Sequence, residues 1–138
     1  MQRVVLISCV SKKLPYKAKV EDLYVSPLFK LGLQYAHSLK PDYIFVLSAK
    51  HGLVGLKQRL LPYNQTLNSM KAIKVRAWAD KVIEQLKARV NLEGDEVIFL
   101  AGENYRKYLT PHIANHSVPM QGLGIGKQLQ YLKKQNSY

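Results

Sequence analysis

Apolar positions along this chain follow two patterns with different periods. Short unbroken runs, Val4-Val5-Leu6-Ile7 and Tyr43-Ile44-Phe45-Val46-Leu47, have the length and the β-branched and aromatic content of strands buried on both faces. Val75, Trp78, Ala79, Val82, Ile83, Leu86 and Val90 instead recur every three to four residues, with Lys74, Arg76, Lys81, Glu84 and Lys87 between them. That spacing predicts an amphipathic helix over residues 71–90.

The remaining elements alternate in the same way. Strands are predicted at residues 3–8, 42–47 and 95–101, with a short fourth strand at 116–119. A helix over 26–39 has Ser26 as N-cap and Pro27 at its first position, and Pro41 ends it. Further helices are predicted at 103–113 and 123–134. Residues 48–70 read as one long irregular stretch holding Gly52, Gly55, Pro62 and Asn64, with room for a short helical turn, a length that in a compact domain usually marks function or mobility. Alternating strands and helices argue for an α/β fold, a parallel sheet with helices on both faces, in a single domain over 1–138.

Strand ends in such a sheet share one rim, and ligands bind in the crevice there. The first strand runs into Ser8, Cys9, Ser11, Lys12 and Lys13, and the second into Ser48, Lys50, His51 and Gly52. The third leads to Gly102, Glu103 and Tyr105, and the fourth to Gly122, Gly124, Gly126 and Lys127. Lysines, hydroxyls and a glycine turn opening a helix are suited to a phosphate or other anion. The glycine turn fits a plain packing turn equally well. Gln121 and Gln128 stand where a phosphate-loop pattern requires Gly and Ser or Thr.

Charge narrows the partner. Twenty-one Lys and Arg against nine Asp and Glu give +12, which favours a polyanion such as DNA or RNA. Nine tyrosines accompany this charge, and Tyr63 and Tyr105, placed in or near loops, are candidates for base stacking. His51 is the candidate acid or base, because its ordinary pKa lies near neutrality. Glu103 is the one carboxylate directly on the expected rim. Cys9 reads as a small packed residue in preference to a nucleophile. The histidines show no metal-ligand spacing, so neither a metal nor a cofactor is expected. No apolar run is long enough for a membrane span, and the first residues lack a signal-peptide pattern. A cytoplasmic protein without a membrane partner is expected.

Several motifs taken together resemble a bacterial and phage family of unknown function. They are Cys9 with Lys12-Lys13, Leu23-Tyr24-Val25-Ser26, Leu47-Ser48-Ala49-Lys50-His51-Gly52-Leu53 and Pro62-Tyr63-Asn64-Gln65-Thr66-Leu67. Ala101-Gly102-Glu103-Asn104-Tyr105 and Gly122-Leu123-Gly124-Ile125-Gly126-Lys127-Gln128-Leu129 complete the set. The family is distantly similar to the YaaA peroxide-stress proteins and to the uracil-DNA glycosylase-like fold. That likeness implies a three-layer αβα sandwich with a four-stranded, mainly parallel sheet in the order 2-1-3-4. It also implies a crevice for a nucleobase and an N-glycosylase-type hydrolysis, with His51 assisting base departure and Glu103 orienting water. The chain departs from the glycosylases where they carry an acid after the first strand and a histidine after the last: here stand Ser8, Cys9 and Lys12, and Met120-Gln121-Gly122. Two other readings stay open: a non-catalytic DNA-, RNA- or nucleotide-binding protein, and a small-molecule nucleotide or phosphosugar enzyme.

Overall fold

A computed structural model describes residues 1–8 and 12–137. Strand β1 (Arg3–Ser8) is followed by the short β2 (Ala18–Lys19), the one-turn α1 (Val20–Leu23) and α2 (Pro27–Ser38). Next come β3 (Tyr43–Ser48), β4 (Gly52–Gly55), β5 (Arg59–Leu60) and α3 (Ala72–Lys87). The chain ends with β6 (Glu96–Leu100), the one-turn α4 (Glu103–Arg106), β7 (His116–Ser117) and α5 (Ile125–Asn136).

The main sheet has five strands in the order β4-β3-β1-β6-β7. β1 pairs in parallel with both β3 and β6, and β6 pairs in parallel with β7. The expected four-stranded sheet in the order 2-1-3-4 is therefore corrected. Gly52–Gly55 folds straight back from β3 and adds an antiparallel edge strand. A two-stranded ribbon of β2 and β5 stands apart from this sheet.

β1 carries four consecutive buried residues, Val4 to Ile7, which need cover on both faces of the sheet. Right-handed crossovers supply it. The β1-to-β3 and β3-to-β6 connections move in opposite directions along the sheet, so α2 and α3 fall on opposite faces. α2 packs on β1 and on α5, where the Tyr35 and Tyr131 rings meet edge to face and Asn136 Nδ2 donates to Leu31 O at 3.2 Å. Burial and the neighbouring Tyr131 push the Tyr35 phenol up to about 12. α3 packs along β4 with Val75, Trp78, Val82 and Leu86 buried.

Two further expectations are corrected. The stretch 48–70 is not irregular throughout: beside a short helical turn at Leu67–Ser69 it holds two strands, β4 and β5. The helix expected over 103–113 stops after one turn and gives way to a second 3-10 turn at Thr110–His112. Pro111 supplies no N–H to an α-helical ladder and disfavours helical backbone before it. No helix among the described residues is long and apolar enough to cross a membrane.

Candidate functional site

The C-terminal ends of β1 and β6 open into a cleft of about 680 Å³. Ile7, Phe29, Leu100 and Leu132, all buried, form its apolar floor. Ser8 and Gly102 sit on its wall, and Ser8 Oγ accepts from the Gly102 amide at 3.3 Å, tying the two strand ends together. The first turns of two helices also line it: Ser26 to Phe29 of α2, and Ile125 and Gln128 of α5. Ser26 caps α2 by accepting from the Phe29 amide at 3.2 Å. The first turn of α5 has no side-chain cap, so its backbone amides keep their donor capacity.

The opposite rim comes from the segment before α3. Asn64, Gln65, Thr66 and Asn68 line the cleft with carboxamide and hydroxyl groups. Tyr105 anchors this segment, its hydroxyl accepting from the Leu67 amide and bonding to Thr66 Oγ1, both at 3.3 Å. The Tyr105 ring meets Trp78 edge-on with centroids 5.8 Å apart, which docks α4 onto α3. Asn104 Nδ2 donates to Asn68 Oδ1 at 2.7 Å and fixes the same rim from outside. Lys12 and Lys13 complete the wall, and Lys13 Nζ lies 4.5 Å from the Tyr63 ring centroid.

A smaller pocket of about 220 Å³ adjoins this cleft across Ala101, Gly102, Met120 and Gln128, which line both. Glu103 and Arg106 line the smaller one. Gln128 Nε2 donates to Leu123 O at 2.8 Å, so the shared wall is itself hydrogen-bonded in place.

A buried polar chain runs behind the lysine wall. Ser48, fully buried, donates from Oγ to Tyr63 Oη at 2.7 Å and accepts the His51 amide at 3.1 Å. Tyr63 in turn shares a short hydrogen bond with the Tyr24 hydroxyl. The His51 ring packs edge-on against Tyr63 at 5.6 Å. Partial burial first, then the positive Lys50 and Lys81, push the His51 imidazole below its ordinary value.

A family model described as "Family of unknown function (DUF6884)" matches residues 4–134. The chain belongs to that family. It is also 29% identical over 146 residues to the uncharacterized protein YfjM of Bacillus subtilis (strain 168), covering 97% of this chain and 95% of that one.

In this DUF6884 chain the candidate residues separate into three groups. Ser8, Lys12, Lys13, Gly102 and Tyr105 line the main cleft. Glu103 and Gly122 line the adjoining pocket, and Gly122 adopts a left-handed φ of +82°. Ser48, Lys50, His51, Tyr63, Gly124, Gly126 and Lys127 line neither cavity. Ser48 Oγ makes two hydrogen bonds inside the fold, to Tyr63 and from the His51 amide. Tyr63 and Tyr105, the candidates for base stacking, are both buried, at 7% and 5% exposure, and of the two only Tyr105 lines the cleft. Ser11 and Cys9 lie outside the described residues. Sequence reasoning passed over Gln65, Thr66, Asn68 and Gln128 as cleft residues. Such uncharged side chains carry no compositional signal, and only the fold brings the first three to one rim and Gln128 to the wall shared with the adjoining pocket. Among the described residues, no three His, Cys, Asp or Glu gather as a metal site would need.

One pH effect follows from His51. Its lowered value means that the unfolded chain takes up the proton first as pH falls below the ordinary 6.5. Stability is therefore lost on acidification through that window and is unaffected by this group above it. Urea unfolding of the native protein and of His51→Gln at about pH 5.5 and about pH 7.5 checks this. The variant is expected to lose less stability between the two; an equal loss in both proteins refutes the assignment.

Proposed function

We propose that the cleft binds one nucleotide unit of a nucleic acid, with the base on the apolar floor and the phosphate at Lys12 and Lys13. The observation that supports this reading is how the wall divides. It has an apolar floor, a rim of carboxamides and two lysines, and no carboxylate among the described residues that line it. Carboxamides offer donors and acceptors matched to the edges of bases. Lysines and the first turns of two helices favour phosphate. A cleft of about 680 Å³ is within the range of small-molecule sites. The net charge of +12 extends the preference from a nucleotide to a polyanion.

N-glycosidic hydrolysis is the reaction that the likeness to uracil-DNA glycosylases implies. In that reading Glu103, in the adjoining pocket, orients the attacking water. His51 lines neither cavity and is left out of the chemistry. Arrested binding without turnover follows if Glu103 serves only its one-turn helix.

Fluorescence anisotropy with single- and double-stranded DNA and RNA, and with mononucleotides, tests the binding. Lys12→Ala is expected to weaken it about ten-fold, the value of one charge-assisted phosphate contact. An abasic-site assay on the same oligonucleotides tests the chemistry. Product that disappears in Glu103→Gln supports hydrolysis. Salt-sensitive binding without product identifies a binding protein. Tight mononucleotide binding with no affinity for oligonucleotides identifies a small-molecule enzyme. No binding to any of these probes overturns the proposal.

A further inference from the structure

We propose that the surface formed by Arg76, Lys107 and Tyr108 is a second contact for a nucleic-acid strand whose nucleotide occupies the cleft. The inference rests on the nucleic-acid reading above and extends it from a nucleotide to a chain. Three observations carry it. The Arg76 guanidinium lies 5.1 Å from the Tyr108 ring centroid, and Lys107 Nζ lies 5.2 Å from the same centroid. None of the three ion pairs among the described residues involves Arg76 or Lys107, although Asp80 stands one helical turn from Arg76. Both cations are exposed and the ring they lie over is half-buried.

The place of this cluster relative to the cleft is fixed. Asn68 lines the cleft and Asn104 bonds to it at 2.7 Å. Lys107 and Tyr108 continue the turn of α4 three and four positions further on, which on a helical path is a displacement of about 5–6 Å. Tyr105, between them, is locked to Trp78 and to the Leu67 amide. The Arg76–Tyr108–Lys107 group is thereby held one helical turn outside the rim. Two exposed cations held over one half-buried ring give a passing strand fixed positive charge for its phosphates. The cations act on Tyr108 already, since Arg76 above all draws its phenol below the usual value, with desolvation opposing and Lys107 assisting.

The experiment compares a 12-nucleotide single strand and mononucleotides as ligands, over a range of salt. Arg76→Ala/Lys107→Ala is expected to weaken strand binding at least ten-fold and to reduce the slope of log affinity against log salt by about 1.4, which is 0.7 for each lost phosphate contact. Lys133→Ala/Lys134→Ala, the same charge change on the last turn of α5, is expected to leave that slope nearly unchanged. Tyr108→Phe keeps the ring under the two cations and should bind as the native protein does, whereas Tyr108→Ala, which removes the ring that holds them, should weaken strand binding less than the loss of both cations. Equal losses in the two double variants, or none in the first, overturn the proposal. So does tighter binding of anionic vesicles than of the strand. Mononucleotide affinity separates the two readings. If it is absent while strand binding still depends on Arg76 and Lys107, the cleft assignment fails and this surface stands.

Discussion

Trp78→Ala is expected to lower the melting temperature by about 12–20 °C, the largest effect of any single substitution considered. Trp78 is only 8% exposed on α3, and its Nε1 donates to Ser48 O at 2.8 Å at the end of β3. Its ring also meets Tyr105 edge-on. Emptying a site of this size costs about 3–5 kcal/mol, as transfer free energy lost and cavity left behind. For a domain of this length about 4 °C accompanies each kcal/mol. The Ser48 carbonyl additionally loses its indole donor. Trp78→Phe refills most of the volume without restoring that bond and should recover more than half of the loss. Thermal and urea unfolding of both variants measure this, and a fall of less than about 1 kcal/mol in Trp78→Ala would show that the neighbours collapse into the space. Function should follow stability here, because Ser48 backs the lysine wall and Tyr105 anchors the carboxamide rim.

Gly52→Ala should destabilise the fold by about 2–3 kcal/mol for two separable reasons. Gly52 opens β4 with φ at +77°, where a side chain costs about 1–2 kcal/mol. An added Cβ would also run into the Gln85 carboxamide oxygen. That oxygen accepts the Leu53 amide at 2.9 Å, so moving it sacrifices a hydrogen bond of about 1 kcal/mol. A double-mutant cycle divides the effect. In a Gln85→Ala background the bond is already gone, and Gly52→Ala should cost only the backbone strain. If the cost is the same in both backgrounds, the clash with Gln85 contributes nothing.

Most of the main elements were legible in the chain because their signals are local. Val4–Ile7 and Tyr43–Leu47 are apolar without interruption, and the α3 stripe repeats with helical period. Ser26 and Pro27 place the start of α2 to the residue. The errors fall where strand pairing decides, or where a single breaker outweighs an apolar pattern. Gly52–Gly55 is a strand only because the free edge of β3 accepts it. Ala18–Lys19 and Arg59–Leu60 are too short to show a period and exist by pairing with each other. Residues 103–113 carry enough apolar positions for a helix, but Pro111 breaks the ladder.

The site divides along the same line. Ser8, Lys12, Lys13 and Gly102 were readable because they follow directly from strand ends, whose place on the rim comes with the parallel topology. His51 follows a strand end as well, yet its backbone is bonded to Ser48 and its ring is set against Tyr63, and it lines neither cavity. Burial of Tyr63 and Tyr105 depends on Ser48 and Trp78, residues 15 and 27 positions away. By itself, then, the sequence determined the alternation of strands and helices, the excess of positive charge and the strand ends that meet the cleft, all readable without the contacts between segments. The tertiary structure alone decided the β2–β5 ribbon, the carboxamide rim of the cleft, the burial of Tyr63 and Tyr105, and the placing of His51 and Tyr63 outside the cleft. Those features depend on contacts between distant segments, which no local pattern encodes.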